Sequence, residues 1–119
     1  MTTARLELWQ PAVGDEQGLY ALTADAAMRQ HLAFAEPSLA DSGARLLRSA
    51  GSWALYGYGP LLLRRPSDAR IIGNCGVFHS WRGFGKGMDN VPEAGWIVAR
   101  DCWGVGYAGE AMRAILAWW

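Results

Sequence analysis

Hydrophobic and polar positions alternate near the start of the chain. Over residues 4–9, Leu6 and Leu8 fall on one side and Arg5, Glu7 and Trp9 on the other. That period of two predicts a half-buried strand. Pro11 and Gly14 end it. Residues 15–32 carry helical spacing and predict two short helices bent near Thr23, Ala24 and Asp25. Pro37 and Ser38 punctuate again, and Ser38 followed by Asp41 has the spacing of a capping box. Beyond it, Leu39, Gly43, Leu46, Leu47, Ala50, Trp53 and Ala54 share one helical face, while Asp41, Arg45, Arg48 and Ser49 share the other. This amphipathic pattern predicts a helix with its apolar side packed and its charged side in water. A strand is expected over residues 60–64, a turn over 65–69 and a strand over 70–78. Gly73 and Gly76 within that last strand predict a bulge or a close approach of neighbouring backbone. A loop over 81–90 precedes a strand over 93–98. The closing helix would pack Ala108, Ala111, Met112, Ile115, Leu116 and Trp119 on one side.

The junction between the last strand and the last helix carries the chemistry. The apolar run 94–99 is followed by Gly104-Val105-Gly106-Tyr107-Ala108-Gly109-Glu110-Ala111. The first turn of a helix has backbone N–H groups without partners, and the macrodipole adds partial positive charge there. Glycines let such a backbone come close to an anion. The element reads as a cradle for a pyrophosphate. A Walker loop would need Lys-Ser or Lys-Thr after the glycines, where Tyr107 and Ala108 stand. The letters G-x-G-x-x-G are present through Gly109. Their context differs from a dinucleotide site, which belongs at the first strand–helix turn of a βαβ unit with an acidic residue further on.

Composition narrows the partners. With 119 residues, 51% hydrophobic and 18% charged, the chain is sized for one domain with a core. Eleven basic and eleven acidic residues cancel, which argues against coating nucleic acid and leaves room for one local anion site. Seven tryptophans point to a filled interior or an apolar groove. Cys75 and Cys102 make no metal-ligand cluster and read as reduced thiols of a cytoplasmic protein. No apolar run approaches a membrane span, and the N-terminus lacks a signal-peptide pattern.

Three segments carry a family resemblance. They are Pro92-Glu93-Ala94-Gly95-Trp96-Ile97-Val98, then Trp103-Gly104-Val105-Gly106-Tyr107-Ala108, then Glu110-Ala111. Together they resemble the acetyl-CoA-binding core of the GNAT N-acetyltransferases, with the branch of ribosomal-protein N-acetyltransferases the most similar. Residues 3–8, Gly57-Tyr58-Gly59 and Ile72-Gly73-Asn74-Cys75-Gly76-Val77-Phe78 resemble the family's first three strands, so the likeness covers essentially the whole chain. At position 101, three before the first loop glycine, the family usually carries Gln or Arg. This chain has Asp101, with Arg100 beside it.

The resemblance implies an α/β (α+β) fold with a mixed, mostly antiparallel sheet flanked by helices. It implies transfer of an acetyl group from acetyl-CoA to a primary amine, either a protein N-terminus or a small molecule. Backbone groups of Ile97, Val98 and Ala99 would hold the pantetheine arm like an added strand. Trp103, Gly104, Val105, Gly106, Tyr107 and Ala108 would hold the pyrophosphate. A bulge near Trp96 and Ile97 could aim one N–H at the thioester oxygen. Glu93 stands where this branch has an acidic residue, and either draws a proton from the amine, directly or through water, or caps the loop and pairs with an Arg. No metal site and no nucleic-acid or membrane partner is expected.

Other residues read as structural or as weaker candidates. His31 and His79 read as loop histidines, with His79 the better placed as a base. Glu110 reads as a helix-start acid that favours the dipole and could pair with Arg113. Arg82 and Lys86 are solvated or substrate-facing, and Tyr56 and Tyr58 pack or wall an acceptor groove. In the family the last helix is followed by further strands and a helix bearing the usual Tyr acid. The chain is therefore expected to be residues 1–119 of a single GNAT-like domain lacking its C-terminal part. Self-association through the last helix and an open sheet edge is the matching expectation. A non-catalytic acyl-CoA-binding or assembly module is the rival reading.

Overall fold

The computed structural model describes residues 1–24, 38–81, 83, 87 and 89–119. In chain order the elements are β1 (Glu7–Trp9), α1 (Glu16–Ala24), α2 (Leu39–Tyr56), β2 (Pro60–Arg64), β3 (Gly73–Trp81), β4 (Asp89–Val98), a short 3-10 turn (Arg100–Cys102) and α3 (Tyr107–Trp118). The strands form one sheet in the order β1-β2-β3-β4, with every pair antiparallel. The expected fold class is thus the observed one. The second half of the predicted helical region, residues 25–32, lies outside the described residues.

Local chemistry explains most boundaries. Ser38 accepts from the Asp41 N–H at 3.1 Å while the Asp41 carboxylate accepts from the Ser38 N–H at 3.1 Å, which closes the capping box that starts α2. Gly57, at φ +77°, ends it in the left-handed conformation. Gly76 is a close-approach glycine. A Cβ there would lie 2.7 Å from Pro60 Cα and 2.8 Å from the Gly59 carbonyl oxygen, so β2 could not sit against β3 with any larger residue. The β3–β4 hairpin is longer than its predicted strands. Pairing continues past Phe78 to Ser80↔Val91, and the register shifts only between Ser80 and Trp81. The bulge expected near Trp96 and Ile97 is absent on the β3 side, where Asn74↔Ile97 and Cys75↔Trp96 pair in unbroken register.

The core gathers Leu6 and Leu8, Leu19 and Leu22, the Leu61–Leu62–Leu63 run, Ile72, Cys75, Val77 and Val98, with Ala111, Met112 and Ile115 from α3. The last three match the predicted stripe. Leu116 and Trp119 do not join them, being 53% and 55% exposed.

The orientation of α2 is the main departure from the sequence pattern. Ser42 and Ser49 are its buried residues, and Arg45 and Ser52 are half-buried on the same side. Leu47 is 74% exposed, and Leu39, Ala50 and Ala54 are exposed as well. Periodicity shows that a helix has two unlike faces; it does not say which one the neighbours cover.

Candidate functional site

The glycine turn leaves backbone amides open at the start of α3. Gly104 and Gly106 have φ of +80° and +83°, a region that side-chain-bearing residues avoid. Gly106 caps α3 without any side-chain hydrogen bond to the helix's free amides. The first helical bond runs from the Glu110 N–H to the Gly106 carbonyl at 3.0 Å. The amides of Tyr107, Ala108 and Gly109 therefore precede that ladder and open the helix. Trp103, Gly104, Val105 and Gly106 are exposed, and Tyr107 and Ala108 half-buried.

Two cations flank this turn. The Arg5 guanidinium lies 4.7 Å from the centre of the Tyr107 ring, and its Nη2 is 3.5 Å from where a Gly106 Cβ would stand. Arg113 Nη1 is 3.1 Å from the corresponding position at Gly109. Glu110 pairs with Arg5, not with Arg113 as the i,i+3 spacing suggested. Arg5 Nε donates to its Oε1 at 2.7 Å, the Arg5 N–H to Oε2 at 3.0 Å, and Thr3 Oγ1 also donates to Oε2. The Thr3 hydroxyl, then Arg5, hold this carboxyl down at about 2, against an ordinary 4.5.

Because its folded value is depressed, Glu110 stabilises the fold above pH 4.5 and loses that contribution as pH falls toward about 2. The stability gap between the wild type and Glu110→Gln is expected to be largest at pH 7 and to close by pH 2, read from melting curves. A gap constant with pH would refute this pairing.

The ladder's phase decides what β4 can offer a ligand. Ala99 donates its N–H to the Ile72 carbonyl at 2.8 Å. In an antiparallel pair, hydrogen-bonded and non-bonded partners alternate. Gly73↔Val98 and Cys75↔Trp96 are then non-bonded pairs, and the backbone groups of Val98, Trp96 and Ala94 point away from β3. Those of Ile97 and Gly95 turn inward. Of the residues expected at the pantetheine arm, Val98 lies with its backbone on the open edge, while the Ile97 backbone and the Ala99 N–H turn toward β3 and its lead-in. The Val98 carbonyl accepts from Trp103 Nε1 at 2.6 Å, so Trp103 folds back over that edge. Among the described residues no strand lies beyond β4.

A cleft of about 470 Å³ opens between α2 and the face of β3 and β4 that carries Asn74, Phe78, Gly95 and Ile97. Arg45, Arg48, Ser49 and Ser52 line it from α2; the pattern had suggested a solvent face for the first three. Glu93 stands opposite Phe78 in register and is half-buried. It is four residues from Ile97, roughly 13 Å at the rise of an antiparallel strand, and does not line the cleft.

His79 is tied on several sides. Tyr58 Oη is 2.6 Å from Nδ1, Asn90 Oδ1 is 2.6 Å from Nε2, and the Tyr56 ring stacks at 3.8 Å. With Nε2–H donating to Asn90, Nδ1 accepts from Tyr58. Tyr56 and Tyr58 thus pack on this histidine. His31, Arg82 and Lys86 lie outside the described residues. Asp101 is held by Arg70 in a two-pronged pair at 2.8 and 2.9 Å. Cys75 and Cys102 are both free and buried, and burial pushes the Cys75 thiol up to about 12. No group of metal-binding residues and no helix long and apolar enough to cross a membrane occurs among the described residues.

Solved structures share this fold. A GNAT-family acetyltransferase structure from Bordetella pertussis is 32% identical and superposes with a TM-score of 0.86, over 98% of this chain and 70% of that one. Acetyltransferases from Agrobacterium tumefaciens strain C58 and Bacillus anthracis, 22% and 15% identical, share the fold with TM-scores of 0.77 and 0.74. The chain covers 64% of the length of each of these two. The family model described as an acetyltransferase (GNAT) domain matches residues 5–119. The chain belongs to the GNAT acetyltransferase family, a membership that implies acetyl transfer from acetyl-CoA.

Proposed function

We propose that this protein acetylates a primary amine, with the glycine turn and the open β4 edge holding acetyl-CoA. The observation that carries the reading is the meeting of two backbone features. One is the uncapped start of α3, with Arg5 and Arg113 beside it. The other is the set of outward backbone groups on Ala94, Trp96 and Val98. The amides of residues 104–108 suit a pyrophosphate, and the two guanidinium groups add charge for phosphate oxygens. The edge of β4 suits the amide-bearing pantetheine arm, which can pair as an added strand does.

Acetyl-CoA supplies an acetyl group on a thiolate leaving group. The amine nitrogen forms a bond to the carbonyl carbon, the carbon–sulfur bond breaks, and the amine proton must leave. An outward N–H of Trp96 or Val98 would donate to the thioester oxygen as charge develops there. An alkyl ammonium has a pKa of about 10, so a base is needed. Glu93 acts as that base through a chain of water, given its distance along β4 from Ile97. The likeness to the ribosomal-protein branch favours the α-amine of a peptide or a related small molecule. Two free buried thiols favour a reducing, cytoplasmic compartment.

The test is release of CoA thiol with a panel of peptides and small amines. Thiol release that depends on amine, with product bearing one added acetyl group, is expected. Hydrolysis of acetyl-CoA alone, or transfer only to hydroxyls, would refute the reading.

A second reading is favoured by the apolar surface at the end of α3. Trp118 and Trp119 are 52% and 55% exposed, with Trp118 against the Trp53 ring of α2 and Trp119 against the Tyr58 ring. In that reading the domain assembles with another copy through this region. Sedimentation of the 119-residue chain is expected to show a species heavier than a monomer; a monomer at every concentration would refute the assembly.

A further inference from the structure

We propose that Asn74 binds the acceptor amine, its side-chain oxygen taking one N–H so that the nitrogen lone pair faces the thioester. The proposal rests on the acetyltransferase reading and adds a residue to it.

The first observation is an apolar row with one polar member. Trp9 pairs with Leu62, Leu62 with Asn74 and Asn74 with Ile97. Residues directly opposite one another carry their side chains on the same face, so the four form a line across the sheet. Leu62 is buried, and Trp9, Asn74 and Ile97 are half-buried. A Val or Leu at position 74 would continue the row, whereas Asn is a residue that strands disfavour.

The second is that this polar member is unsatisfied. Asn74 Oδ1 is shut off from solvent and accepts no hydrogen bond among the described residues. Ser49 and Ser52 line the same cleft from α2, but the Ser52 hydroxyl donates to the Tyr58 carbonyl at 2.7 Å. Nor can the strand shift to find a donor. A Cβ at Gly73 would stand 3.0 Å from the Ile97 carbonyl oxygen, and one at Gly76 2.7 Å from Pro60 Cα, so β3 is held closely on both sides. A buried acceptor without a donor lowers stability, and keeping one in place of an apolar residue calls for a role outside folding.

The third is its place. Asn74 lines the cleft with Gly95, Trp96 and Ile97. Its partner Ile97 lies between Trp96 and Val98, whose outward N–H groups are proposed to face the thioester. Neighbouring strands run about 4.8 Å apart, so one strand's width separates Asn74 from that edge. A primary amine has two N–H groups and one lone pair, and giving one N–H to a fixed oxygen orients the pair. A neutral carboxamide does this without favouring the ammonium form as a carboxylate would. The amine meets Oδ1 when the carboxamide turns about its last torsion, which is broad. That turn breaks no hydrogen bond of Oδ1 among the described residues.

The experiment compares the wild type with Asn74→Leu, an apolar residue of comparable size, and Asn74→Ala, which adds no bulk. Thiol release from acetyl-CoA is followed with Ala-Ala amide, Ser-Ala amide, spermidine and 2-phenylethylamine, and melting curves are recorded in parallel. On the amine that the wild type uses best, each variant is expected to lose about tenfold in kcat/KM, the equivalent of about 1.4 kcal/mol and the upper part of the range for one neutral hydrogen bond. The KM for acetyl-CoA is expected to stay within about twofold. Asn74→Leu is expected to melt no lower than the wild type, because it removes an unpaired buried oxygen and completes the apolar row. A residue with only a structural role would instead lower the melting temperature and spare the amine.

Amine turnover within about threefold of the wild type in either folded variant would overturn the proposal and leave the acetyltransferase reading standing. So would variants that both melt lower and lose acetyl-CoA binding together with turnover. A wild type that releases no thiol in response to any of the four amines would overturn the acetyltransferase reading and the role of Asn74 with it.

Discussion

Gly106→Val is expected to weaken CoA binding at least about tenfold while the protein keeps its fold. Gly106 sits at φ +83° directly before α3, in an exposed turn. A side-chain-bearing residue in the left-handed region costs about 1–2 kcal/mol, and a β-branched one more. The turn has room to move out of that conformation, since among the described residues only Arg5 lies within reach of a Cβ there. Movement relieves the strain but swings the amides of residues 106–108 away from the pyrophosphate, and each 1.4 kcal/mol of lost binding is tenfold. Titration calorimetry measures the affinity and circular dichroism checks the fold. Unchanged CoA affinity in a folded variant would remove the glycine turn from the site.

Gly76→Ala is expected to destabilise the protein by about 2–3 kcal/mol, the upper part of the cost of overpacking. The atoms that its Cβ would meet, Pro60 Cα at 2.7 Å and the Gly59 oxygen at 2.8 Å, belong to backbone and cannot rotate aside. Relief would require β2 to slide off β3, and both strands carry core leucines or Cys75. Against a total of about 5–15 kcal/mol, the loss should be plain in a urea midpoint. Gly51→Ala supplies the opposite control. It lies inside α2 with nothing among the described residues within 4 Å of its Cβ position, so alanine should stabilise by about 0.5–1 kcal/mol. Equal midpoints for the two variants would contradict the close strand packing.

The features legible in the sequence are local ones. Ser38 and Asp41 announce the start of α2 because a capping box is closed by residues three apart. Gly104 and Gly106 announce the turn because only glycine takes that backbone readily. Leu6 and Leu8 announce β1 by alternation and are indeed its buried residues and lead-in. The motif likeness carried the family, which no periodicity could have supplied.

What stayed hidden depends on distant pairing. Arg5 reaches Glu110 across 105 positions, and nothing near either residue marks the other as its partner. The short spacing to Arg113 was the only local cue, and it pointed wrongly. Which backbone groups of β4 face outward depends on the register against β3, and a shift of one residue would reverse them. The cleft was missed because Arg45, Arg48 and Ser49 look like a solvated face. Only the fold places them opposite Asn74 and Gly95, as lining of the cleft.

The central claim is that the glycine turn and the open edge of β4 hold acetyl-CoA. Backbone amide chemical shifts, recorded as CoA is titrated into the labelled protein, test it most directly. The account predicts that the largest shifts fall on Gly104, Val105, Gly106, Tyr107 and Ala108, with a second group on Ala94, Trp96 and Val98 and little change at Ile97 relative to its neighbours. Saturable shifts confined to other parts of the molecule, or none at millimolar CoA, would contradict it.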